Sequence, residues 1–304
     1  MTTPDATRGQ ESDESKAPVI SRFAPSPTGR LHLGHAFSAI LAHDFARARN
    51  GRFLLRIEDI DPGRTREEHV AAIIADLKWL GLGWDGPVIR QSDRLSLYAD
   101  ALDRLKGQGL VYPCFCTRSE IGADIAASAA APHGPDGPIY PGTCRRLTAA
   151  ERAERQAREP HAWRLDTLSA INAAGPLSWR DHGATVQADP SVFGDVVLAR
   201  KDAPTSYHLA VTVDDAAQRV TDVVRGRDLF AATHVHRLLQ ALLGLPMPDY
   251  HHHPLLEDAE GRRLAKRHGA PSLAELRIAG VDPQTLAADF RAGKLPAEFR
   301  IGDG

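Results

Sequence analysis

The sequence has few cysteines, no long apolar run and almost no net charge. Only three of its 304 residues are cysteine, an odd number that argues against the disulfide framework of a small secreted protein. No stretch approaches the roughly 18 consecutive apolar residues of a membrane span. The formal net charge is −2, so a nucleic acid would have to bind a local basic patch. With 42% hydrophobic and 25% charged residues, the chain is typical of a globular protein with a sizeable core.

The amino-terminal residues also lack a secretion signal. Residues 1–18 are polar and acidic, with neither a basic start nor an apolar middle. We therefore expect a disordered tail over these residues and a cytoplasmic protein. Because no large apolar interface and no membrane contact are indicated, we expect a monomer.

Strands and helices alternate in the first part of the sequence. Residues 18–24 predict a short strand, and apolar residues at helical spacing predict a helix from about His32 to Asn50, stopped by Gly51. Residues 53–57 are apolar enough for a strand that is buried on both faces. This alternation favours an α/β fold with a Rossmann-like parallel sheet that binds a nucleotide.

Later segments continue the alternation after an interruption. Thr65 and Glu68 have the spacing of a capping box, which would begin the second helix. The further predicted elements are a helix over 92–107, strands at 110–112, 162–165, 196–198, 208–213 and 220–224, and a helix over 229–243.

The composition changes at Cys114, where the chain becomes rich in Ala, Pro and Gly. We interpret this segment as an insertion that splits the sheet domain into two halves. The predicted organisation is a tail over 1–18, the first half of the domain over 19–113, the insertion over 114–205, the second half over 206–258, and a phosphate loop with a short helical segment over 259–304.

The first chemically informative segment is residues 25–35, where a Pro/Gly turn leads into a helix. Free backbone N–H groups and the helix dipole favour phosphate at such a terminus, and Gly29 and Gly34 allow close approach of a ligand. His32 and His35 are three residues apart, so both imidazoles lie on one side of the first turn and could donate to phosphate oxygens. The alternative is a capped helix start with two surface histidines.

The second segment is a basic loop over residues 261–268. Its four Arg and Lys residues follow a glycine and could clamp a triphosphate, or they could form a solvated loop. The third segment holds the cysteines, as Cys114-x-Cys116 and Tyr140-x-x-x-Cys144. Two thiolates at this spacing can reach one metal ion, although three cysteines in a short window could also be incidental.

Taken together, these motifs resemble the glutamyl branch of the HIGH-type (class I) aminoacyl-tRNA synthetases. The similarity extends over about residues 19–275, and the matching motifs occur in the family's order. They are residues 22–29, His32-Leu33-Gly34-His35, residues 56–61, residues 207–210 with 213–215, residues 224–226, and the KMSKS-like Arg263-Leu264-Ala265-Lys266-Arg267.

The resemblance implies site residues by position. Catalytic roles would fall to His32, His35 and Lys266. ATP, with Mg²⁺ on its phosphates, would contact His32, Gly34, His35, Arg263, Leu264 and Lys266. Glutamate would contact Arg22, Phe23, Ala24, Pro25, Ser26, Glu58, Tyr207 and Arg225, with Glu58 on the ammonium and with Tyr207 and Arg225 on the carboxylates. A purely structural Glu58 would instead pair with Arg56 or Arg64.

Two residues depart from the family's loop, which usually has Lys where Arg263 stands and Ser where Ala265 stands. Arg263 keeps the charge and Lys266 keeps the ammonium, so we expect activity to be retained. His251-His252-His253 could suggest a metal site, but we interpret these residues as structural or surface residues.

The cysteine pattern resembles that of one subgroup, the glutamyl-queuosine tRNA(Asp) synthetases. In that subgroup one Zn²⁺ would be held by Cys114, Cys116, Tyr140 and Cys144, with His133 as the alternative fourth ligand. Only 38 residues follow Lys266 in the chain of 304, fewer than the helical anticodon-binding region of a glutamyl-tRNA synthetase needs.

The resemblance therefore implies a two-step ligase that uses ATP, L-glutamate and queuosine-containing tRNA(Asp). Glutamyl-adenylate would form first, and the glutamyl group would then pass to the queuosine base at the wobble position. The alternatives are a shortened enzyme that charges tRNA(Glu), a pantothenate-synthetase-like ligase and a catalytically silent tRNA-binding paralogue.

Overall fold

The computed structural model describes residues 18–126, 133–135, 137–258, 261–262, 264, 271–295 and 299–302. Within those ranges the helices are α1 (Leu33–Arg47), α2 (Glu67–Trp79), α3 (Leu95–Gly107), α4 (Arg118–Ala126), α5 (Ala149–Gln156), α6 (Thr167–Ala174), α7 (Tyr207–Ala217), α8 (Ala232–Leu243), α9 (Leu273–Ile278) and α10 (Pro283–Arg291). None of the described helices is both long enough and apolar enough to cross a bilayer.

The strands in the same ranges are short. They are β1 (Ile20–Phe23), β2 (Arg52–Ile57), β3 (Ile89–Arg90), β4 (Val111–Cys114), β5 (His133–Gly134), β6 (Gly137–Pro138), β7 (Ala162–Leu165), β8 (Ser178–Asp181), β9 (Ala184–Gln187), β10 (Val197–Ala199), β11 (Asp222–Gly226), β12 (Asp249–His253), β13 (Leu256–Asp258) and β14 (Phe299–Ile301).

A parallel sheet forms the centre of the fold, as predicted. Strand β2 pairs in parallel with β1 and β3, and β12 pairs in parallel with β11 and β8. The two groups adjoin where the backbone N–H of Thr221 donates to the Ile20 carbonyl at 2.9 Å. Five consecutive residues of β2, Phe53 to Ile57, are buried, which confirms a strand covered on both faces.

Helix α1 packs its apolar residues Leu33, Ala36, Phe37 and Ile40 into the main core. It ends at Arg47, three residues before the predicted end, and Asn50 takes the left-handed conformation with φ 52° before β2 begins. At the other end of the chain, α10 also packs on α1, with the rings of Phe290 and Phe37 edge to face at 5.8 Å. The carboxy-terminal helix α10 therefore covers the part of α1 that carries Phe37.

Three details of the predicted elements are wrong. Helix α2 has Arg66 at its N-cap with no side-chain cap bond, so Thr65 and Glu68 do not form a capping box. Strand β4 exists but pairs antiparallel with β7, outside the parallel sheet. Residues 208–213 are part of helix α7 because a short apolar run fits either a buried strand or a buried helix, and here it packs against α3 and α8.

The segment interpreted as an insertion divides between two places. Strands β10, β7 and β4 form a small antiparallel sheet of their own. The β8–β9 hairpin instead extends the parallel sheet, where Asp181 pairs with Tyr250 of β12. The domain boundaries themselves stay a prediction.

Candidate active site

A cavity of about 420 Å³ opens at the carboxyl ends of β1, β11 and β12. Ligands bind at this edge in open α/β sheets. The cavity is lined by all eight predicted glutamate residues and by four of the predicted ATP residues, namely Arg22, Phe23, Ala24, Pro25, Ser26, Glu58, Tyr207, Arg225, His32, Gly34, His35 and Leu264. Arg263, Ala265 and Lys266 lie outside the described residues.

His32 and His35 form a reciprocal cap at the start of α1. Nδ1 of His32 accepts from the Gly34 backbone N–H at 3.1 Å, and Nδ1 of His35 accepts from the His32 backbone N–H at 3.2 Å. In a neutral imidazole the proton of each ring must then be on Nε2. Both rings are half-buried and line the cavity, and the capped helix start of the alternative interpretation is present as well.

Gly34 leaves room for the His32 ring beside the start of α1. A Cβ atom at residue 34 would lie 3.0 Å from Cε1 and 3.2 Å from Nδ1 of His32. A larger residue at position 34 would therefore push the His32 ring by a few tenths of an ångström.

A network of buried charges lies behind the glutamate residues. Arg22 contacts Asp215 through Nε and Nη2 at 3.0 and 3.3 Å, and Arg56 Nη1 contacts the same carboxylate at 2.8 Å. Arg56 Nε also lies 3.7 Å from Asp214. The two arginines hold the pKa of Asp215 below its usual range even though burial opposes that change. The positive charge of Arg22 is thus largely balanced within the protein.

Glu58 follows β2 and points into the cavity with only 9% of its side chain exposed. Burial raises the pKa of Glu58 to about 6, although the Arg56 guanidinium 3.5 Å away opposes the shift. The alternative pairing with Arg56 therefore exists, but its effect on the pKa of Glu58 is smaller than the effect of burial. A half-buried acid with this pKa is suited to a cationic partner such as an ammonium.

Arg225 differs from Arg22 because its hydrogen-bond acceptors among the described residues are all uncharged. Its guanidinium donates to Thr233 Oγ1 at 2.7 Å, to the Leu229 carbonyl at 3.2 Å, to His252 Nε2 at 3.2 Å and to the Tyr207 hydroxyl at 3.3 Å, and it lies 3.4 Å from Nδ1 of His236. Its side chain is buried. A buried guanidinium with only neutral partners is a strong site for an incoming carboxylate.

Burial keeps the neighbours of Arg225 neutral. It raises the pKa of Tyr207 to about 12 and, together with the Arg225 charge, lowers the pKa of His252 to about 3. The pKa of His236 is also lowered well below its usual value. Sequence reasoning missed Thr233, His236 and Asp215 as supports of the site, and only Asp215 had a signal, in the Val213-Asp214-Asp215 motif.

The three consecutive histidines of β12 do not converge on one point. His251 bonds Asp222 at 2.9 Å, His252 bonds Asp181 at 2.9 Å, and His253 Nε2 lies 3.0 Å from Ser38 Oγ. Successive side chains on a strand point to opposite faces, which separates them. His252 additionally contacts Arg225, and His253 lines the cavity, so a structural or surface role for the three residues stays a prediction.

The cysteines do converge. The Sγ atoms of Cys114, Cys116 and Cys144 all lie within 4.8 Å of one another, and the Cys116–Cys144 separation is 3.5 Å. The Tyr140 hydroxyl lies 3.4 Å from Cys114 and 3.5 Å from Cys116. Zn–S bonds of about 2.3 Å in a tetrahedron place sulfurs roughly 3.8 Å apart, so these donors fit a zinc ion. His133 is in β5, and its side chain lies outside the described part of the chain.

Comparison with known proteins identifies the family to which the chain belongs. Residues 18–291 match the catalytic domain of tRNA synthetases class I (E and Q). The Glutamyl-Q tRNA(Asp) synthetase of Rhodobacter capsulatus is 53% identical over 274 residues, which cover 88% of this chain and 98% of that protein. The protein of the same name from Symbiobacterium thermophilum is 47% identical over 279 residues, covering 88% of this chain and 84% of that protein.

A solved structure supports the same assignment. The glutamate–tRNA synthetase of Elizabethkingia anophelis superposes with a TM-score of 0.70 at 28% identity, and the match covers 83% of this chain and 53% of that one. The chain thus spans about half the length of that synthetase. It is an enzyme of the ligase class and belongs to the class I tRNA synthetases of the glutamate and glutamine type, among relatives named Glutamyl-Q tRNA(Asp) synthetase.

Proposed function

We propose that the enzyme activates L-glutamate with ATP and transfers it to the queuosine base at the wobble position of tRNA(Asp). The observation that carries the first step is that Glu58 and Arg225 line one cavity together with His32 and His35. A buried acid and an unbalanced guanidinium suit the ammonium and a carboxylate of one amino acid.

In the first step, a carboxylate oxygen of glutamate attacks the α-phosphorus of ATP. A bond forms between that oxygen and phosphorus, and the bond to the bridging oxygen of pyrophosphate breaks. Negative charge builds on the α-phosphate oxygens, where the Nε2–H groups of His32 and His35 are the candidate donors. Losing one such donor typically slows a reaction by about 10²–10³-fold. Mg²⁺ enters with ATP, and Arg263, Leu264 and Lys266 are proposed to hold the phosphates.

In the second step, a hydroxyl of the cyclopentenediol of queuosine attacks the acyl carbon. The ester bond forms, AMP leaves, and the hydroxyl proton passes to the departing phosphate. Because the adenylate is already activated, positioning of the acceptor is the main requirement. The names of the relatives support this acceptor.

Zinc is proposed at Cys114, Cys116, Cys144 and Tyr140. The ion would lend structural rigidity to the small β4–β7–β10 sheet, since β4 ends at Cys114. It has no proposed part in the transfer of glutamate, because none of the four side chains lines the cavity.

Pyrophosphate exchange tests the activation step. Purified enzyme with ATP, Mg²⁺ and glutamate should exchange labelled pyrophosphate into ATP without any tRNA, and a lack of exchange would refute the proposal. The second function to consider is charging of tRNA(Glu), because a glutamate–tRNA synthetase shares the fold at 28% identity. Labelled glutamate should enter queuosine-containing tRNA(Asp) and not queuosine-free tRNA(Asp) or tRNA(Glu); equal labelling of the two tRNA(Asp) forms would exclude the modified base as the acceptor.

A further inference from the structure

The geometry of Arg225 depends on which ring nitrogen of His252 carries the proton. Arg225 Nε–H points at Nε2 of His252 over 3.2 Å, so this nitrogen must accept. Neutral histidine has one donor and one acceptor nitrogen, and it can accept at Nε2 only when the proton is on Nδ1. The opposite tautomer would place an N–H against the N–H of the guanidinium.

Asp181 selects the tautomer that accepts. Its Oδ1 lies 2.9 Å from Nδ1 of His252 and also accepts from the His252 backbone N–H at 3.1 Å. An ionised carboxylate only accepts, so the proton of the ring is held on Nδ1. The ring cannot turn away easily, because it is stacked on Tyr250 with an interplanar angle of 2° and Phe230 lies at its side with a centroid distance of 5.2 Å.

Asp181 lies 71 residues before His252 in the sequence, and its strand β8 pairs with β12. It ends β8 in the β8–β9 hairpin, and it does not line the cavity itself. Any effect on substrate must therefore pass through His252 to Arg225.

We propose that Asp181 is a positioning residue for glutamate, which acts through the tautomer of His252 to aim the guanidinium of Arg225. This inference rests on the proposed function and adds to it a role for the hairpin at the edge of the sheet. The carboxylate of the substrate would meet an Arg225 whose Nε–H is held by His252 and whose Nη1 and Nη2 groups contact the uncharged partners Tyr207, Thr233 and the Leu229 carbonyl.

Two substitutions of Asp181 separate the loss of its hydrogen-bond acceptor from the loss of the fold. In Asp181→Ala, both hydrogen bonds are lost, and the KM for glutamate in pyrophosphate exchange should rise about tenfold or more while the KM for ATP stays unchanged. In Asp181→Asn, the amide oxygen can still accept from the His252 backbone N–H. That hydrogen bond also keeps the amide oxygen, rather than the NH₂ group, facing Nδ1 of His252. This variant should keep a glutamate KM within about threefold of the original value.

The matched control is Arg180→Ala in the same hairpin. Arg180 links β8 to β12, the strand of His252, through an exposed ion pair with Asp249. No contact between Arg180 and His252 is seen among the described residues. Its glutamate KM should be unchanged. If Arg180→Ala raises the glutamate KM as much as Asp181→Ala does, the hairpin acts only as a structural support and the inference is wrong.

A double variant and a tautomer measurement complete the test. In a His252→Phe background, adding Asp181→Ala should cause no further rise in KM, because the residue through which it acts is gone. Histidine ¹⁵N NMR should show the proton of His252 on Nδ1 in the original enzyme and on Nε2 in Asp181→Ala, with His252→Phe identifying the signal.

The outcomes separate the inference from the function on which it rests. If the original enzyme shows no exchange with glutamate, the proposed function is wrong and the inference is lost with it. If the original enzyme is active and Asp181→Ala retains its glutamate KM or its Nδ1–H tautomer, the inference alone is refuted.

Discussion

Lowering the pH toward 5 should weaken glutamate binding through protonation of Glu58. Burial raises the pKa of this carboxyl to about 6, so the proton arrives well above the range of an ordinary glutamate. Only the ionised form attracts the ammonium of the substrate. The relevant quantity is kcat/KM for glutamate in pyrophosphate exchange, since it reports groups that titrate in the free enzyme.

The expected size of the effect distinguishes a shifted pKa from an ordinary one. With a pKa of about 6, Glu58 is about 90% ionised at pH 7 and about 10% ionised at pH 5, which predicts roughly a tenfold fall. A carboxyl near its unperturbed pKa of about 4.3 would still be about 80% ionised at pH 5 and would give almost no fall. The γ-carboxyl of free glutamate titrates in that lower range, so it does not mimic the effect.

Glu58→Gln identifies the group responsible. The substitution removes the charge, so kcat/KM at pH 8 should fall by about 30-fold or more, and the fall between pH 7 and pH 5 should disappear. His32 and His35 also line the cavity. If kcat/KM still falls between pH 7 and pH 5 in Glu58→Gln, another group causes the fall and the role given to Glu58 is wrong.

The same substitution should make the fold more stable near neutral pH. A carboxyl whose pKa is raised by folding stabilises the protein most below its unfolded pKa of 4.5, and this contribution is lost as the pH rises through about 6. Above that pH the ionised Glu58 costs about 2 kcal/mol, which a neutral glutamine avoids. Urea denaturation at pH 8 should therefore show a higher midpoint for Glu58→Gln, and a lower midpoint would contradict the burial cost.

Three further predictions concern the charge network, the metal and the substrate carboxylate. Asp215→Asn removes the carboxylate partner of Arg22 and leaves Arg56 with only its longer contacts to Glu58 and Asp214, so it should lower the free energy of unfolding by about 3–5 kcal/mol in urea. Glu159→Gln breaks an exposed pair with Arg155 and should not move the midpoint. Cys144→Ser should reduce bound zinc from one ion per chain to none by elemental analysis, and Tyr140→Phe should keep the fold but release zinc at a lower chelator concentration; unchanged zinc in both would exclude this site. Arg225→Lys should raise the glutamate KM by about tenfold with the ATP KM unchanged, because an ammonium cannot reproduce the fork of donors.

The residues that line the cavity could be found from motifs in the sequence. These short segments follow parallel strands, and the carboxyl ends of parallel strands meet at one edge of the sheet. Arg22, Glu58 and Arg225 are placed in one cavity as expected. Strand β2 was also predictable, because its short apolar run lies between Gly51 and a segment that holds Asp61, Pro62 and Gly63.

The supporting contacts could not be predicted in the same way. Asp215 bonds Arg22 across 193 residues and Arg56 across 159, and no local pattern encodes such pairs. Helix α7 was taken for a strand because the run at 208–213 is too short for its periodicity to decide. The link from Asp181 to His252 needs the register of β8 against β12, which only the folded sheet provides.

The uncharged surroundings of Arg225 link recognition of the substrate to the stability of the fold. The protein buries a cation for which the described residues supply no counter-ion, and an arriving carboxylate would take that place. Bound glutamate would then stabilise the folded protein. A ligand present at a concentration of 100 times its dissociation constant stabilises the native state by about 2.7 kcal/mol. Selectivity for an anion over a neutral isostere would follow from the same feature, because only the anion neutralises the guanidinium.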